Sequence, residues 1–376
     1  MTRRICYVTG TRADFGLMKA TLKSIQEHPK LTLDVLVTGM HLSAAHGNTV
    51  QEIRDAGLSI RTEYPVPLEP STGTTMAKNL GQLVIAFADE WNSSRPDIVL
   101  LLGDRGEMLA GAIAAIHLNL PVVHVHGGER SGSVDELVRH AISKLSHCHF
   151  VATEASRERL IRMGERSESI LVTGAPGLDG LVNLATVSRT LLCKEHRLDA
   201  NRPVALMIFH PVLQECEMAA GAISLILDIL REQSIQVVAM MPNSDAGSDP
   251  IRRILLARNG QYGLRVLTHL ERQHFVSWMA TCDILIGNSS AGIIEAATFG
   301  TPVLNLGSRQ NLRERNLNTL DASIDSKSIL HALKFLLSIG RFPSANIYGD
   351  GRTAGRIADL LARLDLPILL SKTNAY

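Results

Sequence analysis

Short apolar, β-branched runs recur along this chain, each followed by a longer stretch with helical periodicity. Only βα units stacked into parallel sheets satisfy that alternation. In the first half the runs are Ile5–Val8, Leu31–Val37, Ile98–Leu102, Val122–Val125, Phe150–Thr153 and Ile170–Val172. In the second they are Val204–Phe209, Gln236–Met240, Arg265–Leu267, Ile284–Ile286 and Val303–Leu306. At roughly 100–200 residues per domain, 376 residues predict two such α/β units. The halves echo one another. Asp97-Ile-Val-Leu-Leu-Leu-Gly-Asp104, a helix and Pro121-Val-Val-His share a plan with Asp283-Ile-Leu-Ile-Gly-Asn288, a helix and Pro302-Val-Leu-Asn. Both are expected to be doubly wound, so ligands belong beyond the carboxyl ends of strands, in the cleft between the two units.

The expected divisions are a first doubly wound domain over 1–180 that carries the ionisable loops, a second over 181–350 that binds an anion, and a helix in 351–376 that packs back on the first. A linker is placed between roughly 175 and 200, because Gly174-Ala-Pro-Gly-Leu-Asp-Gly180 is rich in turn formers and Lys194 to Arg202 is polar.

Thirty-eight basic against 37 acidic side chains leave a net charge of +1, which excludes the broad basic footprint of a nucleic-acid binder. No apolar run approaches the roughly 20 residues of a membrane span, and Ile5–Val8 is too short for a secretory core. A cytoplasmic protein is expected, without nucleic-acid or membrane partners. The five cysteines (Cys6, Cys148, Cys193, Cys216, Cys282) are scattered and odd in number, which reads as buried thiols rather than a disulfide framework or zinc site.

Seven post-strand loops carry candidate chemistry. Thr9-Gly-Thr-Arg-Ala-Asp-Phe-Gly16 opens a helix and is not the G-x-G-x-x-G dinucleotide fingerprint; Arg12 suits a phosphate clamp or a solvated turn equally. Gly287-Asn-Ser-Ser-Ala-Gly-Ile-Ile-Glu295 presents backbone N–H groups at a helix start, a phosphate site, while Ser289 or Ser290 also suits a plain N-cap. Arg309 and Arg313 follow the next strand, within reach of the same anion. Gly103-Asp-Arg105 and His124-Val-His-Gly-Gly-Glu129, with Asp135, Glu136, Arg139 and His140 just beyond, bring carboxylates and imidazoles together, as general acid–base chemistry requires. Each has a structural alternative: an N-cap for Asp104, dipole pairing for Asp135 and Glu136, a satisfied interior ring for His140. His210, after the first strand of the second half, and Asn243, after the next, stand on the cleft rim. No dense histidine spacing calls for a metal.

Together, Thr9-Gly-Thr-Arg-Ala-Asp14, Thr38-Gly-Met-His-Leu42, Gly103-Asp-Arg105, His124-Val-His-Gly-Gly-Glu129, Arg139-His-Ala-Ile-Ser-Lys144, His210-Pro-Val212, Pro242-Asn-Ser-Asp-Ala-Gly-Ser248, Gly287-Asn-Ser-Ser290 and Gly307-Ser-Arg-Gln310 are specific. Over about residues 4 to 320 the chain resembles the hydrolysing UDP-N-acetylglucosamine 2-epimerases of sialic and related nonulosonic acid synthesis. The resemblance implies a GT-B-like pair of Rossmann-like domains, no cofactor and no metal, and a homodimer or homotetramer. It also implies conversion of UDP-GlcNAc and water to ManNAc and UDP, through elimination to 2-acetamidoglucal and then hydration. By the same resemblance Ser289, Ser290, Glu295 and Arg309 bind uridine diphosphate, with Glu295 on the ribose, and Arg12 contacts the diphosphate from the first domain. Asp104, His126, Glu129 and Asp135 form the acid–base region, which His210 and Asn243 face from the second domain. Some members read Glu-Gly-Gly-Glu where this chain has His126-Gly-Gly-Glu129, so proton transfer at C2 falls to this pair without being divided between them.

UDP-GlcNAc is the preferred substrate. The alternative is UDP-2,4-diacetamido-2,4,6-trideoxy-glucose, the sugar of the legionaminic acid route, because the matching motifs do not report on C4. Non-hydrolysing epimerases read Glu-Ala-Gly-Leu-Arg against His126-Gly-Gly-Glu-Arg130 here. A GT-B glycosyltransferase would not need so many ionisable groups after the fourth strand, and a silent nucleotide-sugar sensor would not need Asp104, Glu129, Asp135 and His210.

Overall fold

Thirteen strands form among the residues described, 2–131, 134–212, 215, 217–243 and 245–375, in a computed structural model of the chain. They are β1 (Arg3–Thr9), β2 (Leu31–Thr38), β3 (Ile60–Tyr64), β4 (Ile98–Leu102), β5 (Val122–Val125), β6 (Cys148–Val151) and β7 (Ile170–Val172), then β8 (Val204–Ile208), β9 (Gln236–Met240), β10 (Leu264–Leu267), β11 (Ile284–Gly287), β12 (Val303–Leu306) and β13 (Thr319–Ala322). Cys216, and Gly132, Ser133 and Ser244 of the loop motifs, lie outside the described residues.

The strands make two wholly parallel sheets, ordered β3-β2-β1-β4-β5-β6-β7 and β10-β9-β8-β11-β12-β13. In each the chain winds outward from a central strand and then returns to that strand's other side. The order therefore reverses between β1 and β4 and again between β8 and β11, where the loops diverge and leave room for a ligand.

β1 and β4 are nearly continuous apolar runs because both faces are covered. On one face lie Phe15, Met18, Leu22 and Ile25 of the helix Arg12–Glu27, with Ile357, Ala358 and Leu361 of the helix Thr353–Arg363. On the other lie Phe87 and Trp91 of the helix Gly73–Ser93 and Met108 of Gly106–His117. Burying a side chain of this size is worth about 1.5–3 kcal/mol. The second sheet is covered by Val276, Trp278 and Met279 on one side and by Ile223, Ile226, Leu230 and Leu333 on the other.

Three expectations need correction. β3 and β13 escaped the strand reading, and β6 starts at Cys148 and ends at Val151 rather than running Phe150–Thr153, since its polar His149 is fully buried against Glu165 at 3.1 Å. Nor is the segment 175–200 an open linker. It folds into the helices Leu181–Leu184 and Arg189–Glu195, whose Leu181, Leu192 and Cys193 join the second core. The chain passes between the halves beside Gly174 and Gly349, both at positive φ, where the Ala175 amide donates to the Tyr348 carbonyl at 2.8 Å. A Cβ on Gly349 would stand 3.2 Å from the Gly174 Cα, so the crossing tolerates no side chain.

Candidate functional site

The loops at the two reversal points face each other, and charged groups from the first sheet pair with groups from the second. Asp135 accepts from Arg309 at 3.1 Å, Arg105 lies 3.4 Å from Asp245, Arg12 Nη1 is 3.0 Å from His269 Nδ1, and Glu129 accepts from Arg313.

Glu129 holds the centre. It is 2% exposed, with one carboxylate oxygen on His126 Nδ1, the other on Arg313, and Arg139 Nη1 3.8 Å away. Burial alone would raise its carboxyl, but the Arg313 guanidinium, with His126 and Arg139, holds it well below the usual carboxylate range. Arg139 also donates to Asp104 and, at 2.9 Å, to the His126 carbonyl, so the post-β4 and post-β5 loops are tied by one side chain. The Nε groups of Arg139 and Arg313 are buried without a protein partner among the described residues. His126 sits at φ +63, a left-handed conformation that is uncommon for a residue with a Cβ.

His210 follows β8. Burial and the Arg309 guanidinium push its imidazole down to about 3, so it is neutral at physiological pH. The Asn243 amide donates to its Nδ1 at 3.3 Å, which places the ring proton on Nε2. Asn288 fixes the loop by accepting from the His210 amide and donating to the His210 carbonyl, both at 2.8 Å. Asn243 donates to Asp245, and Asp245 reaches Arg105.

The anion-binding candidates divide. Ser289 caps the short helix Ser290–Ile294 by accepting from the Ala291 amide at 3.3 Å, the plain reading of that position, and Ser290 is the first helical residue. Arg309 donates to the Asn288 carbonyl at 3.2 Å as well as to Asp135, so it bridges the anion loop and the acid–base loop. Glu295 is 3% exposed and accepts from Arg272, which also donates to the Gly177 carbonyl at 3.2 Å. Arg12 begins its helix behind a capping box made by Thr11 and Asp14. Burial lowers its guanidinium, and so does Arg272, which stands near it across the cleft. At Gly10 the close approach is that of the Glu107 side chain, whose carboxyl would lie 2.8 Å from an added Cβ.

Sequence reasoning singled out the stretches that hold Arg105, Arg139 and Asp245 without giving these residues roles, placed Arg313 with Arg309 near the anion loop where the structure pairs it with Glu129, and missed Glu107, His269 and Arg272. Arg105 and Asp245 lay inside named motifs, so their charges were the available signal. Arg272 and His269 follow β10 with no motif around them. Among the described residues no three His, Cys, Asp or Glu side chains are grouped to hold a metal, and no helix is long and apolar enough to cross a membrane.

Comparison with known proteins matches residues 23–362 to the family of UDP-N-acetylglucosamine 2-epimerases. A Legionella pneumophila protein named UDP-N,N'-diacetylbacillosamine 2-epimerase (hydrolyzing) is 47% identical over 377 aligned positions that cover 100% of both chains. A Neisseria meningitidis UDP-N-acetylglucosamine 2-epimerase is 32% identical, covering 93% of this chain and 92% of its own. The crystal structure of a UDP-GlcNAc 2-epimerase from Neisseria meningitidis bound to UDP-GlcNAc superposes with a TM-score of 0.80 at 20% identity, covering 96% of this chain and 100% of that one, and it shares the GT-B-like fold. By this full-length similarity the chain belongs to the UDP-N-acetylglucosamine 2-epimerase family, as an enzyme of its hydrolysing UDP-sugar 2-epimerase group.

Proposed function

We propose that this enzyme hydrolyses and epimerises UDP-2,4-diacetamido-2,4,6-trideoxy-glucose (UDP-N,N'-diacetylbacillosamine), releasing UDP and the 2,4-diacetamido-2,4,6-trideoxy sugar of manno configuration. The observation that carries this is the 47% identity, over 100% of both chains, to a relative named for that substrate, against 32% to one named for UDP-GlcNAc. UDP-GlcNAc, preferred on motifs alone, becomes the second reading.

The reaction removes the C2 proton as UDP leaves C1, and water then adds across the resulting double bond. The arrangement supports this course because it offers ionisable groups (Asp104, His126, Glu129, Asp135, His210) opposite candidate diphosphate contacts (Arg12, Ser289, Ser290, Arg309), a candidate ribose contact, Glu295, and a further cleft residue that can meet the substrate, Asn243. The test is to offer both UDP-sugars separately in deuterated water, with excess chelator present, and to compare kcat/KM. The diacetamido sugar should be favoured by tenfold or more, with deuterium at C2 of the product. Equal or reversed preference would return the assignment to UDP-GlcNAc, and protium retained at C2 would remove the elimination route.

A further inference from the structure

His126 and Glu129, an imidazole and a carboxylate three residues apart, are hydrogen-bonded to each other in the acid–base loop. We infer that His126 Nε2 is the base that takes the C2 proton, and that Glu129 never touches the sugar but holds the imidazole in position and balances its charge. The inference rests on the elimination–hydration reading above and deepens it.

Three observations separate the two residues. Glu129 has no free oxygen: one is on His126 Nδ1 and the other on Arg313, at 2% exposure, so a sugar would have to displace an ion pair to reach it. His126 is the reverse case. Its Nδ1 is turned to Glu129, while Nε2 makes no hydrogen bond among the described residues and is not among their buried, unpartnered polar atoms. Finally, its backbone at φ +63 is fixed by a hydrogen bond that its amide donates to the Phe150 carbonyl and by Arg139 on its own carbonyl, which together set the direction of the ring. A carboxylate behind Nδ1 fixes the tautomer with the lone pair on Nε2 and stabilises the imidazolium formed on proton uptake.

The step balances. The C2–H proton moves to His126 Nε2, the C2–H electron pair becomes the C1=C2 bond, and the C1–O bond breaks with its pair leaving on the diphosphate oxygen. Hydration then consumes one water, its hydroxyl going to C1 and its proton restoring the group that protonates C2. Inversion at C2 requires the returning proton to arrive on the opposite face, so a different group delivers it and His126 loses its proton to solvent.

The experiment is reciprocal chemical rescue. Glycine suits φ +63 without strain, so His126→Gly is expected to fold; circular dichroism and UDP binding by calorimetry confirm that before kinetics are read. With whichever UDP-sugar the wild type turns over, the variant should lose 10²-fold or more in turnover. Free imidazole should restore at least tenfold, with deuterium entering C2, whereas formate should not. Glu129→Gln should lower kcat with KM within about threefold of wild type. Glu129→Gly should not regain turnover with formate beyond that level. A folded, UDP-binding His126→Gly variant that imidazole fails to rescue overturns the assignment, as does rescue of Glu129→Gly by formate to near wild-type turnover. Absence of C2 exchange in the wild type with either sugar would instead defeat the reaction reading itself.

Discussion

Arg313→Gln is the most demanding test of how the two sheets are joined at the site. Arg313 is 7% exposed and Glu129 2%, so the substitution strands a carboxylate that cannot reach water. Breaking a buried pair from one side costs about 3–5 kcal/mol. His126 remains on one oxygen and Arg139 lies 3.8 Å from the other, so the lower end applies, about 3 kcal/mol. At about 2 °C per kcal/mol, the value for large chains, thermal unfolding at pH 7 should fall by about 6 °C. Glu129→Gln leaves Arg313 buried and alone and should cost a similar amount. The double substitution removes both charges and should cost at least ~2 kcal/mol less than the sum. The pH dependence has a definite sign: a carboxyl held below its ordinary value stabilises the fold above about pH 4.3, and that contribution disappears as pH falls further. The gap between wild type and Arg313→Gln should therefore be full at pH 7 and close under acid conditions. A single variant within about 2 °C of wild type, or strictly additive effects, would refute the reasoning.

Ser290→Ala and Arg309→Ala should each weaken UDP binding by about 1–3 kcal/mol in calorimetry, and unchanged affinity in both would remove the diphosphate from that loop. Asp104→Asn keeps the shape and removes the charge facing Arg139, so turnover should fall 10²-fold or more while UDP affinity stays near wild type. Away from the site, burial opposes ionisation of Glu165, but bonds from His149, Lys144 and Lys372 bring its carboxyl down to about 2. Its stabilising contribution is present above the ordinary carboxyl value and lost as pH falls through 2, so Glu165→Gln should flatten the acid limb of stability between about pH 4.3 and 2. An unchanged limb would show that the cluster carries no such weight.

The central strands were legible because they are buried on both faces: β4 is Ile-Val-Leu-Leu-Leu and β8 is Val-Ala-Leu-Met-Ile, each with every residue inside. β3 and β13 were not, and the reason lies in their polar content, since the edge strands β7 and β10, with more adjacent apolar residues, were read. Both are edge strands, with Ile60-Arg-Thr-Glu-Tyr64 and Thr319-Leu-Asp-Ala322 half open to solvent, so charged and polar residues interrupt the apolar signal that pattern reading depends on. Buried polar residues mislead in the opposite direction. His149 looks like a loop residue in sequence and lies in mid-strand, because Glu165 accepts its ring N–H inside the core.

At the site, what reads from sequence is the loop and what does not is the partner. Post-strand position singles out Asp104, Glu129 and Asp135 as ionisable groups near a cleft, since βα topology puts loop side chains there whatever their neighbours. It cannot say that Glu129 meets Arg313, 184 positions away, or that Asp135 meets Arg309 rather than solvent, because those pairs exist only once two separately wound sheets face each other. The consequence for function is large. A carboxylate loose in a cleft is a candidate base, while one closed between an arginine and an imidazole is a support. The difference between those roles for Glu129 lies in second-half chain that no local spacing in the first half encodes.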